Sequence, residues 1–393
     1  MKYLAGVILI FFYFSLYVYG QKGMEFFKGD WDELIEEAQN SNKPIFVDAY
    51  ASWCGPCKYM AKNVFSDQGV GEFYNKHFIC YKMDMEKGKG KDIAKKYAVR
   101  VYPTYLYLDK NGSVMHVAVG GMKPERFIST AEKSMDPKRS LSGLRNQYMN
   151  GNKSDSLLLE YAKMLKSAYM DHSTIANELL EKQKESDLLK PIIWDAIRLF
   201  VEDMESNEFS YLVNNREKYS EKYGEKEVTK KIAMVFQQSA YNIARSGKTD
   251  KFAKLKQRIT EFNLEDEKKM LGDCELLYYK TTRDWSNFCM AASAYLDSVQ
   301  INDEEAISDF SATICNRCDD RVLLEKVKKL IESALVDNRS FELLNSYSIV
   351  LYKLSLEDEA LDAAEEAVKI AKSNNIDCRE TERLIQRIKS PDF

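Results

Sequence analysis

The stretch AYASWCGPCKYM, residues 49–60, sets Cys54 and Cys57 two residues apart, with Gly55 and Pro56 between them and Trp53 in front. A pair so spaced can exchange electrons, hold half of a metal site or serve as a plain staple. Exchange needs one sulfur exposed and ionised and the other within bonding reach. A cysteine that opens a helix meets the first need, because unpaired N–H groups and the helix dipole lower its pKa by about one to several units. The spacing brings the second sulfur to the same helix end, and Pro56 suits the first turn, where no backbone N–H is required. Structural zinc wants four ligands. The chain has only His77, His116 and His172 to add, none at metal spacing, so no metal and no external cofactor is expected.

Asp48 sharpens the reading. It lies inside the apolar run PIFVDAYA (44–51), where a carboxylate is costly unless it has a task. From six residues before Cys54 it can point beneath the disulfide and take the proton of Cys57 when that thiol attacks a mixed disulfide. Lys82, in FICYKMDM (78–85), can modulate its charge. The plainer alternative places Asp48 at an edge or a turn. A purely structural bridge has no use for Trp53, Pro56 or a buried carboxylate.

These residues need strands and helices to hold them. DWDELIEEAQNSN has helical spacing with Asp30 as its cap. PIFVDAYA and FICYKMDM read as strands, GKDIAKKYA as a short helix, and TYLYLDKNGSVMHVAVG as a hairpin around Asn111-Gly112. KPERFISTAEKSM closes the unit as a helix, which predicts an α/β sheet with helices on both faces over residues 24–136. After MDPKRSLS (135–142) strand signals end and amphipathic helices follow, which predicts an all-α domain over 143–393. Residues 341–374 span one 34-residue unit with Leu344, Tyr347, Ser348, Leu351, Ala360 and Ala367 where a tetratricopeptide repeat places apolar and small residues. The domain is therefore read as a TPR-like helical-hairpin solenoid, and residues 308–338 as a degenerate copy of the unit.

The motifs VDAYASWCGPCK, YKMDME and RVYPTYLYLDKNG together resemble thioredoxin over residues 24–135. NKPIFVDAYASWCGPCKYMAKNVFSD resembles exported thioredoxin-like proteins and the C-terminal domain of DsbD-type transmembrane reductases more than it does the small cytosolic protein. The resemblance implies a thioredoxin fold, Cys54 as attacking nucleophile, Cys57 as resolving thiol, Asp48 as buried carboxylate and Lys82 as its partner. It also implies a cis bond before Pro103, with Tyr102 offering its backbone to a substrate strand, Trp53 beside the site and Gly120 leaving the substrate room.

The N-terminus supplies Lys2, an apolar run from Leu4 to Tyr19 and small residues up to Gly20, the pattern of a secretory signal peptide over 1–20, cut before Gln21. The alternative is an uncleaved membrane anchor, for which the run is shorter than the ~18–20 residues that span a bilayer comfortably. Either puts the mature chain outside the cytoplasm, and the expected compartment is a bacterial periplasm, where thiols oxidise. A net charge of −4 excludes a basic field for nucleic acid. The expected function is an exported thiol–disulfide oxidoreductase that reduces protein disulfides, with electrons from a membrane donor such as a DsbD-type reductase. Two alternatives stand beside it: a disulfide oxidase or isomerase, and an interaction module whose helical domain binds a partner. Among the other cysteines, Cys80 reads as core, Cys315 and Cys318 as packing residues or a quiet disulfide at a helix end, and Cys274 and Cys289 as a facing pair.

Overall fold

The computed structural model describes residues 23–264, 266–299, 301 and 303–390. The expected signal peptide, 1–20, lies outside them. Helix α1 (Trp31–Ser41) begins at Asp30, whose carboxylate accepts the N–H groups of Asp32 and Glu33 while Glu33 accepts that of Asp30. This reciprocal cap satisfies donors that the first turn leaves unpaired. There follow β1 (Ile45–Tyr50), α2 (Gly55–Asn63), α3 (Gln68–His77), β2 (Ile79–Asp84), α4 (Gly90–Lys96), β3 (Thr104–Leu108), β4 (Val114–Val119) and α5 (Pro124–Met135). The sheet order is β2-β1-β3-β4, with β2 parallel to β1 and the other pairings antiparallel. Strand β1 is central, which is why Ile45 to Ala49 are buried without alternation. At the β3–β4 turn the Asp109 carboxylate accepts the N–H groups of Asn111 and Ser113, and Gly112 takes φ 79°.

One face of the sheet carries an aromatic core of Phe46, Tyr74, Tyr105, Tyr107 and Phe127. Tyr74 and Phe127 stack at 4.5 Å, a contact worth about 0.5–1.5 kcal/mol beyond the area it buries. The Tyr74 hydroxyl lies 2.8 Å from that of Tyr107 and donates to the Phe127 carbonyl at 2.9 Å. The Tyr105 hydroxyl, equally buried, has no hydrogen-bond partner among the described residues.

Helices α6 (Leu141–Met149), α7 (Asp155–Ser167), α8 (Ser173–Glu181) and α9 (Pro191–Phe200) come next. Helix α6 packs against β4, and Gly143 lets its backbone close on Pro137, whose carbonyl oxygen a Cβ would meet at 2.3 Å. The compact units are Met1–Phe200 and Val201–Phe393. The run of helices uninterrupted by strands follows β4 and continues through α6 at Leu141, while the division between units falls later, after α9; α6 itself packs against the sheet.

The second unit is all helical. It carries α10 (Asn207–Asn214), α11 (Arg216–Tyr223), α12 (Glu225–Ser246), α13 (Thr249–Glu261), α14 (Glu267–Thr282) and α15 (Trp285–Ser298). Then follow α16 (Glu304–Arg317), α17 (Arg321–Asp337), α18 (Phe341–Lys353), α19 (Glu357–Ser373) and α20 (Arg379–Lys389). Residues 341–374 form the packed pair α18 and α19, in which Ala360, Ala363, Ala364, Ala367 and Ala371 line the buried stripe of α19. Small side chains at that spacing let the helices approach closely. No described helix is long and apolar enough to cross a membrane.

Candidate active site

Strand β1 ends at Tyr50, the chain turns through Ala51 to Trp53, and Cys54 is the N-cap of α2. Its sulfur accepts the N–H of Cys57 at 3.1 Å, so it already sits in the positive end of the helix. Cys54 and Cys57 form a disulfide, with Cα atoms 5.3 Å apart. Pro56 occupies the first turn, and a Cβ added at Gly55 would meet nothing within 4 Å. An exposed sulfur was expected. In the disulfide form Cys54 and Cys57 are instead only 2% and 5% exposed, packed with Ala51 under Tyr50 and Tyr102. Bonding turns each sulfur toward the other, and the two tyrosines cover them.

Register places Asp48 between Lys82 of β2 and Tyr105 of β3. Asp48 is 1% exposed, and the Lys82 ammonium lies 3.8 Å from Oδ2, an ion pair longer than a hydrogen bond. Neither carboxylate oxygen has a hydrogen-bond partner among the described residues. Burial raises the Asp48 pKa to about 7, against the opposing pull of Lys82. A group with that pKa can accept and return a proton near neutrality. Lys82 also sits 4.8 Å from the centre of the Tyr50 ring.

The Tyr102–Pro103 bond is cis, and Tyr102 packs against the two cysteines. The Pro103 carbonyl accepts the N–H of Gly120 at 2.9 Å. Gly120 has φ 90° and open space where a Cβ would stand, so it is its backbone conformation that calls for glycine. Trp53 is 67% exposed, meets Tyr102 edge-on at 6.0 Å and donates from Nε1 to the Glu86 carboxylate at 2.8 Å. All ten sequence-derived site residues therefore fall at or directly behind the β1–α2 junction or on the Tyr102–Gly120 side of it. Tyr50, Glu86 and Tyr105 were not foreseen. Only strand register could have exposed Tyr105, because PTYLYL reads as an ordinary strand.

Comparison with known proteins agrees with this geometry. The profile of the thioredoxin-like domain family matches residues 31–134. Thioredoxin Y from rice chloroplasts is 35% identical over 106 residues, 27% of this chain and 58% of that protein. Thioredoxin H3 from Arabidopsis thaliana is 32% identical over 26% of this chain and 81% of its own length. The chain belongs to the thioredoxin family. A solution structure from Bacteroides thetaiotaomicron, described as a candidate disulphide isomerase, is 36% identical, covering 30% of this chain and 97% of that one with a TM-score of 0.28. The chain spans 58% of the length of the rice relative, and the thioredoxin match ends before α6.

Within the thioredoxin domain, the arrangement places a disulfide pair at a helix N-terminus, with a titratable carboxylate buried in the strand that leads to it. Among the described residues no cluster of His, Cys, Asp and Glu has the arrangement of a metal site. Among the remaining cysteines, Cys80 lies in the core and Cys315 is a packing residue, as expected, while the pairing differs. Cys289 pairs with Cys318, whereas Cys274 and Cys315 are free and buried, as is Cys80. The facing pair Cys274/Cys289 and a bridge within 315–318 are thus both replaced. The end of α16 is carried to α15 by packing, a contact that sequence spacing does not encode.

Proposed function

We propose that this chain is an exported thiol–disulfide oxidoreductase that reduces protein disulfides through Cys54 and Cys57. The observation that carries the reading is the Cys54–Cys57 disulfide capping α2, with Asp48 buried in the strand that leads to it. In the reduced enzyme the Cys54 thiolate attacks a substrate disulfide, and one substrate sulfur leaves as a thiol after taking up a proton. Cys57 passes its proton to the Asp48 carboxylate and attacks the Cys54 sulfur, which frees the second substrate sulfur and closes the disulfide. Two electrons pass to the substrate, and Asp48 returns its proton to solvent. The cis Tyr102–Pro103 segment supports docking of an extended substrate strand beside the pair.

Repeated turnover requires an electron donor, for which a membrane reductase of the DsbD type is proposed. Periplasmic location is supported by the signal-like N-terminus and by the Cys289–Cys318 bridge, since such bridges persist in oxidising compartments. The packed helix pair α18–α19 supports a TPR-like second domain that holds a protein partner. Insulin reduction with dithiothreitol by the full chain tests the activity. Turnover that disappears in Cys54→Ser is expected, and equal rates in the two proteins would reject the enzymatic reading. The Cys57→Ser chain should trap substrates as mixed disulfides on Cys54.

A further inference from the structure

We propose that Cys289, Cys315 and Cys318 form a second thiol–disulfide exchange centre, in which the bridge passes from Cys289–Cys318 to Cys315–Cys318 and Cys289 is released as a thiol. The three residues meet in the core of the second unit although 29 positions separate the bridged pair. Cys318 is the C-cap of α16, and Cys315 lies three residues earlier in the same helix. Cys54 and Cys57 have the same relation at a helix start, where the Cα atoms stand 5.3 Å apart, well inside the range of about 4.4–6.8 Å that a disulfide tolerates. Cys315, three residues from Cys318 at the same helix end and in the same cluster, is therefore the alternative partner to Cys289.

The environments of the sulfurs set the direction. Cys315 and Cys318 are each 1% exposed, and the Cys315 thiol donates to the Ser346 carbonyl at 3.4 Å. Cys289 is only partly covered, with its sulfur 3.8 Å from the Arg317 carbonyl oxygen. Exchange therefore expels the sulfur that water can solvate and buries both bridged sulfurs. Lys353 approaches this helix end, donating to the Cys318 carbonyl at 2.9 Å and to Asp319 at 2.7 Å. Its charge favours the attacking Cys315 thiolate, against burial, which pushes that thiol up to about 12. Cys315 also borders an open groove of about 730 Å³, which gives its proton a path to solvent.

The step balances without an external oxidant. The Cys315 sulfur, deprotonated, attacks the Cys318 sulfur; the Cys318–Cys289 bond breaks; and the Cys289 thiolate takes up the proton that Cys315 released. The exchange unties α15 from the end of α16 and presents a thiol that can enter a mixed disulfide with a thiol-bearing partner. It does not depend on the function proposed for Cys54 and Cys57.

The test uses the full chain carrying Cys54→Ser and Cys57→Ser, so that the first pair cannot reshuffle the second. The protein is incubated with N-ethylmaleimide, digested without reduction and mapped by mass spectrometry. A Cys315–Cys318 cross-linked peptide together with alkylated Cys289 is expected, and Cys289 should be alkylated at least about tenfold faster than after the further change Cys315→Ser. A separate chain with Cys289→Ser should form the Cys315–Cys318 bridge on treatment with oxidised glutathione. Recovery of Cys289–Cys318 alone, or alkylation of Cys289 only together with both other cysteines, would overturn the proposal.

Discussion

At position 48 a carboxylate is buried in the strand that leads to the disulfide, with a lysine 3.8 Å away and no hydrogen bond to either oxygen among the described residues. Its pKa, about 7 in the folded chain, is about 3.9 when unfolded. The folded state therefore holds the proton more tightly. Stability is greatest below the unfolded value and falls as pH rises through the folded one. Asp48→Asn removes this loss and should raise stability at pH 8 by on the order of 3–4 kcal/mol in urea denaturation. An unchanged midpoint would mean that the carboxylate is better solvated than its burial indicates. The same variant should slow release of the mixed disulfide by roughly tenfold or more, because Cys57 loses its base. Cys54, Cys57 and Asp48 were legible because a motif and an apolar run are local. The cover by Tyr50 and Tyr102 was not, since it follows from how the chain turns after β1.

Helix α6 is joined to the sheet through His116 of β4, whose Nδ1 accepts the Leu141 N–H at 3.3 Å. A protonated imidazole cannot accept that bond. Burial chiefly, with the nearby Lys133 charge second, lowers its pKa to about 4. The unfolded chain then binds the extra proton between about pH 6.5 and 4, so stability is lost as pH falls through that window. His116→Gln, which keeps an acceptor but does not titrate, should be spared this loss of about 3 kcal/mol across the window. Equal acid sensitivity of variant and wild type, measured by urea denaturation from pH 4 to 7, would exclude His116 as the source. A lone histidine in VMHVAV gives no sign of this role, because its partner lies in a helix 25 residues on.

Across the first unit these two groups oppose one another. Between about pH 4 and 6.5 Asp48 lowers stability with rising pH while His116 raises it, each by about 1.4 kcal/mol per pH unit, so their contributions cancel. The Asp48→Asn chain should therefore show an acid loss that the wild type conceals, and parallel curves for the two proteins would contradict the assignment.

The chain by itself determined the α/β and all-α halves, the strand that carries Asp48 and the helix that Cys54 opens, because periodicity, caps and turns act over a few residues. Tertiary structure decided which distant groups meet: Tyr105 beside Asp48, Leu141 on His116, Cys318 bonded to Cys289 rather than to its neighbour at 315. Those contacts depend on how apolar faces settle against one another, and one-dimensional spacing carries no record of that packing.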